Sequence, residues 1–211
     1  MANVARTNGF RPVKHLTGAP YNGQANIYEV PAGEAMPVFI GDLVKLSDSA
    51  ATAGYPAVES VTTATTAVVG IAAVPVVGAV VGIFNVNQDV DGKLTTGSIA
   101  LDIPIYRPAS TKQFVLVADS PDLIFEAESI AAVALADIGM NVDISSGAMT
   151  AGGGTGVSVQ GIATTAATAS ATRPLQLMGF SKRVDNEPAG ASNKVLVKIT
   201  THAYGNAIAG V

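Results

Sequence analysis

The sequence predicts an all-β protein, a sandwich or jelly-roll-like barrel with an extended N-terminal arm and at most one short helix. Three observations carry that prediction. From Ala25 onward, short runs rich in Val, Ile, Thr, Tyr and Phe recur between clusters of Gly, Pro, Asn and Asp, the pattern of strands joined by turns. The longest uncharged stretch, "AVVGIAAVPVVGAVVGIFNV" (Ala67–Val86), is dominated by β-branched residues, which fit a pleated sheet better than a helix. In "KVLVKITTHA" (Lys194–Ala203), Val195, Val197 and Ile199 alternate with Leu196, Lys198 and Thr200, so one face of a strand turns to a core and the other is partly polar.

The uncharged stretch has the length of a membrane span, roughly 20 residues, but not its other features. The nearest basic residues are Lys45 and Lys93, the chain has no Trp, and Pro75 stands in the middle, where a helix would lose a hydrogen bond. Two buried strands are expected instead, Val68–Val74 and Val76–Val86, with Gly78 and Gly82 marking bulges or close backbone approach.

Taken in order, the strand candidates are Ala25–Val30, Pro37–Ser47, Pro56–Thr62, the valine-rich pair, Gly97–Pro108, Lys112–Asp119, Asp122–Glu128, Gly156–Ala163, Leu175–Val184 and Lys194–Ala203. One stretch reads as a helix, "ESIAAVALADIG" (Glu128–Gly139), with Ser129 as its N-cap and Gly139 as its stop. Runs of small residues at Ser49–Gly54, Thr150–Gly156 and Ala163–Pro174 read as loops.

Charged residues make up 13% of the 211-residue chain, against about 25% in an ordinary globular protein. A surface so short of charge is expected to be covered by neighbours, which points to an assembly subunit. There is no Cys, so stability rests on packing and not on disulfides. The first residues, "MANVARTNGFRP", contain no apolar segment after the positive charge, so no secretory signal is expected and synthesis in the cytoplasm is.

Residues 1–28 carry Arg6, Arg11 and Lys14 and no acid, in a chain whose net charge is −4. With Pro12, Pro20, Gly18 and Gly23 in the same segment, residues 1–34 are expected to form an extended basic arm. Residues 35–211 form the β-rich body, looser after about residue 140. Phe10, Leu16 and Tyr21 argue that the arm docks on something, because a solvated tail has little use for large apolar groups. The arm is expected to attach and not to build the core, so that its removal leaves folding intact.

Chemistry-bearing constellations are sparse. In "NQDVDGKLTTGS", Asn87, Asp89 and Asp91 hold the first, third and fifth places of a calcium loop, with Gly92 at the sixth. The twelfth place is Ser98 where a bidentate Glu is needed. Asp91-Gly92 equally suits a two-residue hairpin turn. "AGGGTGVS" (Ala151–Ser158) lacks the Lys of a phosphate loop. His15 and His202 are the two histidines and have no metal-ligand spacing; each is expected to be a surface or interface residue. Glu126 and Glu128 share one face of a strand and read as exposed carboxylates. No cofactor, resident metal or catalytic role is expected.

Four segments, "GFRPVKHLTGAPYNGQANIYEVPAG", "VFIGDLVKLS", "VVGIAAVPVVGAVVGI" and "FVLVADSPDLIFEAE", resemble a family of tailed-bacteriophage head proteins, the capsid decoration or cement proteins of podovirus-like phages. The resemblance covers most of the chain from Gly9 to Glu128. It implies a β-rich body, a place on the outer capsid surface of the virion, and stabilisation of contacts between major capsid protein subunits. No catalytic residue comes with it. Under this reading the capsid contacts are Arg6, Phe10, Arg11, Lys14, Leu16 and Tyr21. The other expected partner is the chain itself, as a homotrimer or a dimer; neither nucleic acid nor membrane is expected. The alternative is a β-sandwich module binding glycans or calcium on a virion surface, or another head or tail component.

Overall fold

The computed structural model describes residues 3–49, 54–61, 75–84, 86–88, 94–99, 106–145, 156–168, 173–188 and 190–205, with the backbone alone in 86–88, 94–99 and 164–168. The strands are β1 (Arg11–His15), β2 (Asn26–Val30), β3 (Leu43–Leu46), β4 (Val58–Ser60), β5 (Val76–Ile83), β6 (Val86–Gln88) and β7 (Leu94–Ile99). They continue with β8 (Gln113–Ala118), β9 (Leu123–Glu128), β10 (Asn141–Ser145), β11 (Gly161–Thr168), β12 (Leu175–Phe180) and β13 (Lys194–Ile199). Two antiparallel sheets pack as a sandwich, one of six strands in the order β1-β9-β13-β12-β10-β11 and one of five in the order β2-β8-β5-β3-β4. Strands β6 and β7 pair separately.

The five-stranded sheet curls until its edges touch. Glu29 N–H in β2 donates to Pro56 O, 3.0 Å away, and Glu29 bridges Ala57 beside β4. Val30, Val44, Val58, Val77, Val80, Val115 and Val117 fill the curl, a use of β-branched side chains that suits a narrow pleated interior. The second core lies between the sheets and includes Leu43, Val76 and Ala79 from the five-stranded sheet and Leu123, Phe125, Val195 and Val197 from the six-stranded one. Strand β5 faces both cores. It therefore reads as a continuous apolar run and not as an alternation. A Cβ on Gly78 would collide with the Ala118 carbonyl, and the β5–β8 register slips between Val80 and Gly82, so one glycine marks a close approach and the other a bulge. The expected strand Val68–Val74 lies outside the described residues.

Arg107 closes the end of the curled sheet and is wholly buried. Its Nε donates to Thr111 O (2.7 Å), one terminal nitrogen to Glu34 O and Met36 O (2.9 and 2.6 Å), and the other to Pro31 O (2.6 Å). Burial pulls its pKa down, opposed by the Glu34 charge.

Three expectations are corrected here. Glu128–Gly139 is not a helix: β9 runs through Glu128, Ser129 N–H donates to Asn193 O at 2.9 Å, and only Leu135–Asp137 makes a 3-10 turn. Backbone partners on β11 and the 186–193 loop hold the segment extended, and an isolated helix of that length is marginal in water. Ala163–Pro174 is not wholly a loop, because β11 continues to Thr168. The N-terminal 34 residues are not simply an arm, since they supply β1 to one sheet and β2 to the other. Phe10 is 1% exposed and belongs to the core between the sheets.

Candidate interaction surface

The segment before β1 is fastened at three places. Asn3 Nδ2 donates to Glu187 O and Ala191 O, both at 3.0 Å, and its Oδ1 accepts from Glu187 N–H at 2.6 Å. Arg6 N–H donates to the Glu128 carboxylate at 2.8 Å, while Lys194 pairs with that carboxylate and also donates to Arg6 O at 2.7 Å. Phe10 N–H donates to Gly41 O at 2.8 Å. At that crossing the backbones approach so closely that a Cβ on Gly9, whose φ is +64°, would stand 2.5 Å from Gly41 O and 2.6 Å from Ser158 Cβ. Only glycine fits there.

This covering also explains the acids of β9. Glu126 and Glu128 are buried and not exposed as expected. Glu126 accepts from Ser181 Oγ at 2.6 Å and pairs with Arg183 at 2.8 Å. Their strand pattern places them on the outer face of the sheet, and the segment 3–9 together with residues 181–194 closes over them. A buried carboxylate keeps its charge most readily when cations and hydrogen-bond donors meet it in this way.

Of the six residues expected to make contacts, Arg6, Arg11 and Leu16 are exposed. Lys14 and Tyr21 are half-buried. Phe10 is corrected to a core residue, because its ring fills the space between the sheets and is closed to a partner. Among the described residues, none of Arg6, Arg11 and Lys14 has an ion-pair partner. Leu16 is 47% exposed, with Val4 and Val13 also outward on the same segment. The turn beyond β1 folds back on it, with His15 N–H donating to Ala19 O at 2.8 Å and Tyr21 N–H to Val13 O at 3.0 Å. Beside β1 a cavity of about 440 Å³ is lined by Phe10, Pro12, Tyr21, Ile40 and Val81, with Arg11 at its wall.

A second surface escaped the sequence reading. Ile130, Leu135, Ile138 and Met178 are all exposed. Gly139 N–H donates to Leu177 O at 2.8 Å and Leu177 N–H to Met140 O at 2.9 Å, which brings the 135–138 turn alongside Met178. Val133 alone of this segment's larger apolar side chains is buried. Reading Glu128–Gly139 as a helix gave no sign of this surface, although the strand candidate Asp122–Glu128 already ran into its first residue.

His202, expected as a surface or interface residue, is corrected to a buried one, 3% exposed. Its Nδ1 accepts from Tyr204 N–H at 3.1 Å, and burial pushes its pKa down against the charge of Asp119. Asp42 is buried below the Gly9–Gly41 crossing, where its carboxylate accepts from Phe39 N–H at 2.8 Å. Burial pushes its pKa up to about 6, opposed by bonds from Ser158 and Phe39. In the calcium-loop candidate, the backbone of Asn87 lies in β6, while Asp89 and Asp91 are outside the described residues. Among the described residues no group of three His, Asp or Glu could hold a metal ion, and no helix is long and apolar enough to cross a membrane.

The fold and this surface define an all-β sandwich with a strapped, basic N-terminal segment. No protein-family model, no curated protein and no solved structure matches the chain.

Proposed function

We propose that this chain is a structural protein of a tailed-phage virion, decorating the outer capsid and stabilising contacts between major capsid protein subunits. The observation that carries the reading is the N-terminal segment. It is fixed to β9 of the six-stranded sheet by Arg6, to the 187–191 loop by Asn3 and to Gly41 beside the five-stranded sheet by Phe10, yet it presents Arg6, Arg11 and Lys14, cations without an ion-pair partner among the described residues, beside the exposed Val13 and Leu16. A segment already held in place loses little entropy when it docks. Its cations suit the carboxylates of an acidic shell, and binding only to the assembled shell stabilises that state by mass action. The resemblance of Gly9–Glu128 to capsid cement proteins supports the same reading.

Self-association, as a trimer or a dimer, is part of the proposal. The scarcity of charge and the exposed Ile130, Leu135 and Ile138 support it, since a closed cyclic oligomer is the common way to cover such a face.

The test is binding to purified capsids that lack the protein. Replacing Arg6, Arg11 and Lys14 with Gln should leave stability within about 0.5 kcal/mol, as for surface changes in general. The same change should weaken capsid binding, most visibly at low salt, because exposed charges are screened over about 10 Å at 0.1 M ionic strength. Unchanged binding at low salt would sink the attachment role. Monomeric mass in sedimentation would sink the oligomer.

A further inference from the structure

At one corner of the sandwich the chain passes between the sheets three times. Residues 16–25 lead from β1 to β2, and residues 119–122 lead from β8 to β9. Beyond β13 the chain returns to the five-stranded sheet, where Val76 N–H donates to Thr201 O and Ala203 N–H to Val76 O, both at 2.8 Å. Strand ladders end at such crossings, so polar groups collect there that no ladder satisfies. Between the first two crossings lies a cavity of about 430 Å³, within the range of roughly 300–1,000 Å³ typical of small-molecule sites.

Its floor is organised from behind. Asp119 accepts from Asn26 Nδ2 at 3.0 and 2.9 Å and from the Tyr28 hydroxyl at 2.6 Å, and the Tyr28 oxygen lies 3.3 Å from that of Tyr204. Tyr28 is buried, so the carboxylate is held from the protein side. Among the described residues its Oδ1 accepts from Asn26 alone, which leaves a lone pair for a ligand. Across the cavity the Tyr21 hydroxyl donates to Gln24 O at 3.0 Å, fixing the ring. The side chains of His15, Gln24 and Ser120 also line the space and have no protein partner among the described residues.

Charge selects the ligand class. The lining holds the Asp119 carboxylate and the His15 imidazole, and no described Lys or Arg lines it, so a phosphate or carboxylate ligand would find no permanent cation and would face the charge of Asp119. A calcium ion takes 6–8 oxygen ligands, more than a single carboxylate and its neighbours offer. What remains is a mixed set of donors and acceptors, with the Tyr21 ring and Leu123 as apolar walls. Sugar hydroxyls both donate and accept, as such a set requires, while sugar C–H faces pack on a ring. We infer that this cavity binds a neutral sugar: Asp119 accepts a hydrogen bond from one sugar hydroxyl, Gln24 and Ser120 bond neighbouring hydroxyls, and Tyr21 carries the apolar face.

The inference is independent of capsid attachment, and its test uses the isolated full chain. The methyl glycosides of glucose, galactose and mannose, with N-acetylglucosamine, are titrated into labelled protein and followed by amide NMR. At least one should give saturable shifts confined to residues 15, 21–26 and 119–123. Gln24→Ala and Ser120→Ala should each keep the wild-type melting temperature and weaken that sugar by up to about tenfold, the loss of one hydrogen bond. Asp119→Asn should weaken it further. The inference is overturned if no sugar gives saturable shifts, if the shifts are scattered, if the two alanine variants bind like wild type, or if calcium chloride moves these amides and the sugars do not.

Discussion

At the closed end of the five-stranded sheet, the buried guanidinium of Arg107 is held by four backbone carbonyls, those of Pro31, Glu34, Met36 and Thr111. On the outer face of the six-stranded sheet, the buried carboxylates of Glu126 and Glu128 are held by Arg183, Lys194, Ser181 and the Arg6 N–H. The first arrangement gathers loops around one cation whose donors are planar and fixed. The second ties a segment near the start of the chain to a strand more than a hundred residues later. A guanidinium keeps its charge on burial, and here four carbonyls meet its donors with the Glu34 charge close by. A carboxylate can take up a proton, and its burial must be offset by cations or N–H groups. One end of the molecule is therefore locked by geometry, the other by charge, and they should fail differently.

The largest effect is expected at the geometric lock. Arg107→Ala leaves four carbonyls without their donor and should cost about 3–5 kcal/mol, the range found when one partner of a buried charged network is removed. Arg107→Lys should rescue little of it, because the three donors of an ammonium radiate from one nitrogen and cannot span four carbonyls set around a planar guanidinium fork. Urea unfolding of both variants measures this, and a lysine variant near wild-type stability would show that charge alone suffices.

Between the two locks lies Asp42, under the crossing of Gly9 and Gly41. Its folded pKa of about 6 is above its ordinary value of 3.8, so folding favours the protonated carboxyl. The stability it contributes is fully present below the ordinary value and is lost as pH rises through about 6. Over that window wild type should lose about 3 kcal/mol relative to Asp42→Asn, which does not titrate. Urea midpoints of the two proteins at about pH 3 and pH 7 give the difference directly, and parallel profiles would remove Asp42 from the account.

The smallest of these effects belongs to the charged lock. Glu128→Gln breaks the pairing with Lys194 and weakens the anchor of Arg6 N–H. Lys194 is partly open to solvent, so the loss should be about 2 kcal/mol, below that for a fully buried pair. Amide hydrogen exchange should quicken at residues 4–9 while β5 and β8 stay protected. Equal exchange across the molecule would mean that the segment is part of the cooperative core.

Which lock a residue joins was legible only in part from the chain. Arg107 carried no sequence signal, because its partners are backbone carbonyls whose positions follow from how four separate residues turn. Leu16 and Phe10 look alike as letters in one basic segment, yet one is half-exposed and the other fills the core. Glu126 and Glu128 did share a face, as the two-residue period of a strand requires. That the face is covered depends on residues 3–9 and 181–194, which no local pattern connects.

By itself the sequence determined the all-β class, the strand character of Val76–Ile83 and the inward face of Lys194–Ile199. β-branched runs and two-residue alternation act within a few neighbouring residues, so these features are written locally. Tertiary structure decided the rest. It drew Ser129–Ala134 out of the expected helix, by giving Ser129 and Ile130 N–H partners in Asn193 and Ile162, and left only a 3-10 turn at Leu135–Asp137. It made Phe10 core, His202 buried and the 16–25 and 119–122 crossings neighbours. Burial and pairing of this kind depend on which distant segments meet, and that is fixed only when both sheets close on one another.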